Sequence, residues 1–136
     1  MRILIDTNVL IDFIAKREPY FSSANKIISA CVENKLEGSI SLHSVSDIYY
    51  ILRKTTPEKD RRRFLKDICL MLEVIAVDKS KLIYAIENEE FKDFEDCLQS
   101  ECAVSFNADY IITRNTKDFL LSGVKAIEPD AFLELI

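Results

Sequence analysis

The chain has 136 residues, 49% of them hydrophobic and 30% charged, which suits one globular domain over residues 1–136 that needs no disulfide or metal staple to fold. Its two glycines and three prolines are scattered, excluding a flexible linker, a low-complexity tract or a repeat array. A formal net charge of −5 argues against a protein that wraps nucleic acid over its whole surface, because phosphate binding depends on lysine and arginine.

Taken in chain order, Arg2 to Ile5 form an apolar run that reads as a buried strand, with Asp6 at its carboxyl end. The run is too short for a signal peptide or a membrane span, so a cytoplasmic location and no membrane association are expected. Thr7 is placed to cap a helix from Asn8 to about Ala15. Ala24, Ile27, Ile28, Cys31 and Val32 recur at helical spacing in a second helix, from Tyr20 or Phe21 to about Lys35. A short strand follows near Ser39 to Leu42.

From Ser44, the order Ser-Val-Ser-Asp resembles a capping box opening a helix to about Lys54, and Pro57 is suited to the first turn of the next helix. That helix turns Phe64, Leu65, Ile68 and Leu72 inward and carries a basic cluster: Arg53, Lys54, Lys59, Arg61, Arg62, Arg63 and Lys66. A solvated helix face is the plain explanation of such a run. Val74 to Val77 reads as a strand, Ser80 to Asn88 and about Asp93 to Asn107 as helices, Tyr110 to Thr113 and Val124 to Ile127 as strands, and Pro129 starts a closing helix. Strands alternating with helices imply an α/β fold, a mostly parallel sheet with its site beyond the strands' carboxyl ends. The four cysteines form no C-x-x-C pair, so they read as buried thiols rather than a zinc or disulfide framework.

Several acids fall where such a fold gathers ligands. Asp6 ends the first strand, Asp47 lies near a helix start, Asp93 and Asp96 share a helix face, and Asn115 and Asp118 follow a late strand. Carboxylates brought together repel one another and call for a hard divalent cation, which points to phosphodiester hydrolysis. Each position also has a simpler role. Asp6 can cap the helix after it, Asp47 can complete the Ser44 box, Asp93 and Asp96 can face a helix dipole, and Asn115 and Asp118 suit a turn. The joint occurrence is what is specific.

Four segments carry a family resemblance: Ile5-Asp6-Thr7-Asn8, Ser44 to Leu52, Asp93-Phe94-Glu95-Asp96-Cys97-Leu98-Gln99, and Ile112-Thr113-Arg114-Asn115-Thr116-Lys117-Asp118-Phe119. Over nearly its full length the chain resembles the PIN domain, a metal-dependent ribonuclease fold whose small bacterial and archaeal members include VapC-type toxins of toxin–antitoxin pairs. The resemblance implies a three-layer α/β/α domain with Asp6 and Asp96 as central ligands of Mg²⁺ or Mn²⁺. Asp47 stands where the family more often has Glu, and Asn115 where many relatives carry a fourth acid, leaving Asp118 as the nearest anionic substitute. Thr7, Asn8, Thr113 and Arg114 are the expected substrate-side groups, with Thr7 positioning water and Arg114 reaching a phosphate. An RNA substrate, a cognate antitoxin and a homodimer are the implied partners. Asn115 also leaves open a weakened PIN-like module that binds RNA or protein without cutting, or an RNA-processing nuclease with no antitoxin.

Other chemistries fit less well. An aspartyl-nucleophile phosphatase commonly needs a second acid two residues after the first, where this chain has Asn8. No glycine-rich phosphate loop is present, and His43, the one histidine, has no nucleophile elbow near it.

Overall fold

A computed structural model describes residues 1–136. Five parallel strands, β1 (Arg2–Ile5), β2 (Glu37–Ser41), β3 (Glu73–Ile75), β4 (Tyr110–Ile112) and β5 (Lys125–Ile127), form one sheet in the order β3-β2-β1-β4-β5. The first strand is therefore the central one. Its neighbours come from opposite ends of the chain, Leu4 pairing with Ser39 on one side and with Ile111 on the other. The strand order reverses beside β1, the place where parallel sheets open a crevice for ligands.

Alternation along β1 divides the core between two faces. Ile3 and Ile5 point into the larger cluster, with Val9 and Leu10 of α1 (Thr7–Ile14), Ile27 and Ile28 of α2 (Phe21–Val32), Ile48 of α3 (Leu42–Ile51), Ile68 of α4 (Glu58–Met71) and Phe132 of α7 (Pro129–Leu133). Leu4 points the other way, towards Cys102 and Ala103 of α6 (Phe94–Ser105), and α5 (Lys79–Glu87) packs beside α6 through Ala85. This is the expected α/β/α layering. Cys31, Cys97 and Cys102 are buried free thiols, whereas Cys69 is exposed. No helix is long and apolar enough to cross a membrane.

Three helix starts differ from the sequence reading. Asp6, not Thr7, caps α1, its side chain accepting from the Thr7 amide. Ser41 rather than Ser44 caps α3, and its hydroxyl accepts from the Ser44 amide at 3.2 Å. The helix thus begins three residues early, so Asp47 lies in its second turn and is not the partner of a capping box. Pro57 takes the capping position of α4 instead of its first turn. Beyond α3 the chain tightens into a 3-10 turn over Leu52–Lys54, and a second such turn covers Thr116–Phe119.

Candidate functional site

Asp6 is fixed before any ligand is considered. It is only 7% exposed, and all four of its hydrogen bonds come from neutral donors. Oδ1 accepts from the Thr7 amide at 2.7 Å and Gln99 Nε2 at 3.0 Å; Oδ2 accepts from Thr113 Oγ1 at 2.7 Å and Asn8 Nδ2 at 2.8 Å. Burial nevertheless raises its pKa, against the lowering effect of the Thr113 and Thr7 hydrogen bonds. The donors fix its orientation without neutralising its charge.

Gln99 ties three elements together. From α6 its Nε2 reaches Asp6, Thr7 Oγ1 at 3.2 Å and Ser44 Oγ at 3.1 Å. Ser44 is fully buried, accepts from Thr7 Oγ1 at 2.7 Å and lies 2.6 Å from Ser41 Oγ. These acceptors settle which end of the Gln99 amide is nitrogen. Its Oε1 is left buried without a protein donor.

Over this network opens a cavity of about 400 Å³, lined in part by Asp6, Thr7, Asn8, Asp47, Glu95, Asp96, Gln99 and Asn115. Glu95, from the first turn of α6, meets Asp47 across the opening. A hydrogen bond between their carboxyl groups, then burial, then repulsion from Asp47, Asp93 and Asp96 push Glu95 up to about 7. Asp96 also rises to about 7, through burial first and then repulsion from Asp93, Asp6 and Asp118. Negative charge is concentrated here beyond what the side chains can neutralise.

The other expected residues divide into two groups. Thr7, Asn8 and Asn115 line the cavity, but Asp93 and Asp118 do not. Asp93 caps α6, accepting from the Glu95 amide at 2.9 Å, and Asp118 is an exposed residue of the second 3-10 turn that acts on Asp6 and Asp96 through space. Thr113 is fully buried with its hydroxyl given to Asp6, so it orients that acid and does not face a substrate. Arg114 is turned to Asp12, only 1% exposed, with Nε 2.7 Å from Oδ2, and its guanidinium lies 4.3 Å from the Tyr20 ring centroid. The expected phosphate contact is thus engaged in an internal ion pair. His43 is half-buried 3.4 Å from Ser41 Oγ, and burial lowers its pKa.

Glu95, Gln99 and Asp12 were not identified from the sequence as site-building residues. Glu95 could have been found, since it stands beside Asp96 in the acidic segment. Gln99 follows Cys97 and Leu98 in a buried stretch and gives no signal until its helix docks.

As they stand, no three acidic, imidazole or thiol groups are gathered closely enough to hold an ion. The donor chemistry nonetheless fits a hard dication. Carboxylates of Asp6, Asp47, Glu95 and Asp96, with amide oxygens of Gln99 and Asn115, are all-oxygen ligands of the kind Mg²⁺ and Mn²⁺ take. The buried, undonated Gln99 Oε1 and two carboxyls raised towards neutrality are the features a cation would relieve.

A five-stranded parallel sheet between helical layers, with an acid-lined crevice at its central strand, is the architecture of PIN-like α/β folds. Residues 2–117 match the PIN domain family, and the chain belongs to it. It is 26% identical over 137 aligned positions to Ribonuclease VapC1 of Aquifex aeolicus (strain VF5), covering 98% of this chain and 94% of that protein. Among solved structures, VapBC2 from Rickettsia felis bound to a promoter DNA fragment superposes with a TM-score of 0.71 at 20% identity, covering 94% of this chain and 98% of that one. A toxin–antitoxin complex from Klebsiella pneumoniae gives 0.67 at 24% identity, over 93% and 97%. These two likenesses bear out the α/β fold.

Proposed function

We propose that this protein is a metal-dependent endoribonuclease and the toxin of a toxin–antitoxin pair. The observation that carries the reading is the cavity in which Asp6, locked by four donors, faces Asp47, Glu95 and Asp96. The likeness to Ribonuclease VapC1 supports RNA as the substrate.

In this reading Asp6, Asp47 and Asp96 hold Mg²⁺ or Mn²⁺, with Glu95 and Asn115 at the rim. When bound, the cation lowers the pKa of a coordinated water and stabilises the charge that builds on the phosphate. Gln99 Nε2 and Thr113 Oγ1 keep the two Asp6 oxygens in one orientation, and preorganisation of that kind avoids rearrangement during reaction. Thr7 Oγ1, already donating to Ser44, can accept from a water in the cavity. Asp118 adds negative potential from outside the ligand set. No side-chain nucleophile is required.

An antitoxin partner is supported by the neighbours that are toxin–antitoxin complexes. An apolar groove of about 310 Å³, lined in part by Phe13, Phe21, Phe64 and Met71, offers a surface for one. Exposed Leu82, Ile83 and Ile86 on α5 support a homodimer. A second reading, a PIN-like module that binds without cutting, is favoured by Asn115, which supplies an amide where a fourth charge would strengthen cation binding.

The test is to incubate the purified protein with a mixed RNA panel in Mg²⁺, Mn²⁺ or EDTA, with Asp6→Asn in parallel. Cation-dependent cutting lost in a folded Asp6→Asn protein is expected. Unchanged turnover in that variant, or cutting in EDTA, would exclude the centre described; RNA binding without cutting under any cation would favour the second reading.

A further inference from the structure

The basic cluster, with Arg53 and Lys54 in the 3-10 turn after α3 and the remaining cations on α4, has two parts. Residues 53–66 hold seven cations against two acids, a local charge of +5 in a chain of net charge −5. Arg61 and Arg62 are used internally. Arg61 Nη1 donates to the Tyr49 carbonyl at 2.9 Å with its guanidinium 4.3 Å from the Tyr49 ring centroid, and Arg62 pairs at 2.9 Å with Glu58, which also accepts the Tyr49 hydroxyl. These contacts join α4 to α3. Arg63 pairs with Asp60.

Arg53 is arranged differently. Its guanidinium carbon lies 3.6 Å from the Tyr50 ring centroid, and Nη1 is held by the Tyr50 carbonyl at 2.8 Å. Both residues are exposed, Tyr50 at 62%, yet Tyr50 also lines the acid cavity, as does Arg17. Tyr50 follows Asp47 by three residues on α3, so the two project from the same helix face. An aromatic–guanidinium pair, fixed in place and in no ion pair with an acid, thus stands at the rim of the cavity.

We propose that Tyr50 and Arg53 form a stacking platform for an unpaired base of a single-stranded RNA, seating the neighbouring phosphate over the acid cavity. Every base has a face that stacks on an aromatic ring or a guanidinium plane, so such a platform grips a strand without reading its sequence. Duplex bases are already stacked on each other, so the platform selects unpaired RNA. The cationic rim also answers an electrostatic need, because a polyanion cannot approach four carboxylates without local positive charge. Arg17 supplies that charge in the cavity lining and Arg53 beside it on the Tyr50 ring, and Lys54, which is in no ion pair, extends it along the surface.

The inference rests on RNA being the substrate, and binding can be separated from cutting. Fluorescence anisotropy in EDTA, with a labelled single-stranded oligoribonucleotide and a duplex of the same sequence, reads binding alone. Tyr50→Ala and Arg53→Ala are each expected to weaken single-strand binding about tenfold, with Tyr50→Phe restoring it. Arg53→Gln should reduce the slope of log affinity against log salt by about one phosphate equivalent. In cleavage assays Tyr50→Ala should raise KM more than it lowers kcat, because the platform binds and seats the strand without touching the reacting atoms. Tyr50 is exposed, and circular dichroism checks that each variant is folded. Absence of single-strand binding by the unaltered protein, binding unaffected by both alanine variants, or an equal loss for duplex would overturn the proposal. Tyr50-dependent binding in a protein that cuts nothing would uphold the platform and overturn the nuclease reading.

Discussion

Replacing Asp96 by Asn should stabilise the cation-free protein at neutral pH and flatten its stability profile. The Asp96 carboxyl is raised from 3.8 to about 7 in the fold, so the folded state binds its proton more tightly than the unfolded chain does. Its contribution is therefore fully favourable below about pH 4 and is lost as pH rises towards 7. The gap corresponds to an upper limit of about 4 kcal/mol at roughly 1.36 kcal/mol per pH unit. Asp96 is only half-buried, and solvent screening brings the figure to ~2 kcal/mol. Loss of a charge in the first turn of α6 opposes this by about 0.3–1 kcal/mol, the smaller effect. At pH 8 in EDTA, Asp96→Asn should therefore gain a net ~1–1.5 kcal/mol, or roughly 5 °C in melting temperature. Urea unfolding from pH 4 to 8 measures it, and Mg²⁺ or Mn²⁺ should stabilise the unaltered protein far more than the variant. An Asp96→Asn protein less stable than the original at pH 8 in EDTA, or equal stabilisation of both by the cation, would refute the reasoning.

Two further substitutions probe the scaffold. Arg114→Ala leaves buried Asp12 without its partner and should cost ~3 kcal/mol; a double-mutant cycle with Asp12→Ala should recover part of that loss, and strict additivity in urea unfolding would show that the pair is uncoupled. Gly38→Ala places a Cβ 2.5 Å from Cys31 Sγ and 2.7 Å from Leu72 Cδ2, and the overpacking should cost about 1–3 kcal/mol; an unchanged melting temperature would mean that both side chains yield freely.

The sequence carries the sheet clearly because each strand is a short apolar run between helical stretches, and Asp6 is legible as the charged residue that ends the first. Helix starts are less legible. Ser41 and Ser44 are equally good caps by type, and what distinguishes them is that Ser44 is buried against Thr7 and Gln99, contacts reaching across 37 and 55 residues. Arg114 shows the same limit. A cation after a strand-end threonine looks available to a phosphate until α1 brings Asp12 beneath it. Composition located the basic cluster, but only packing separates Arg61 and Arg62, which join two helices, from Arg53, which stacks on the cavity-lining Tyr50.

The position of β1 also governs how the protein can be made. Of the five strands of this sheet, the earliest in the chain is the middle one, and on one side it stays unpaired until Tyr110 to Ile112 have emerged. Asp6 lacks the Thr113 hydroxyl until the same moment. A ribosome-bound chain that has reached Asp96 thus carries Asp6, Asp47, Glu95 and Asp96, the acids that line the cavity, but not the strand that completes its floor. Chains interrupted before that point lack both the β4 pairing and the Thr113 bond that orients Asp6, and strand pairings 107 residues apart are long-range contacts of the kind that slow folding.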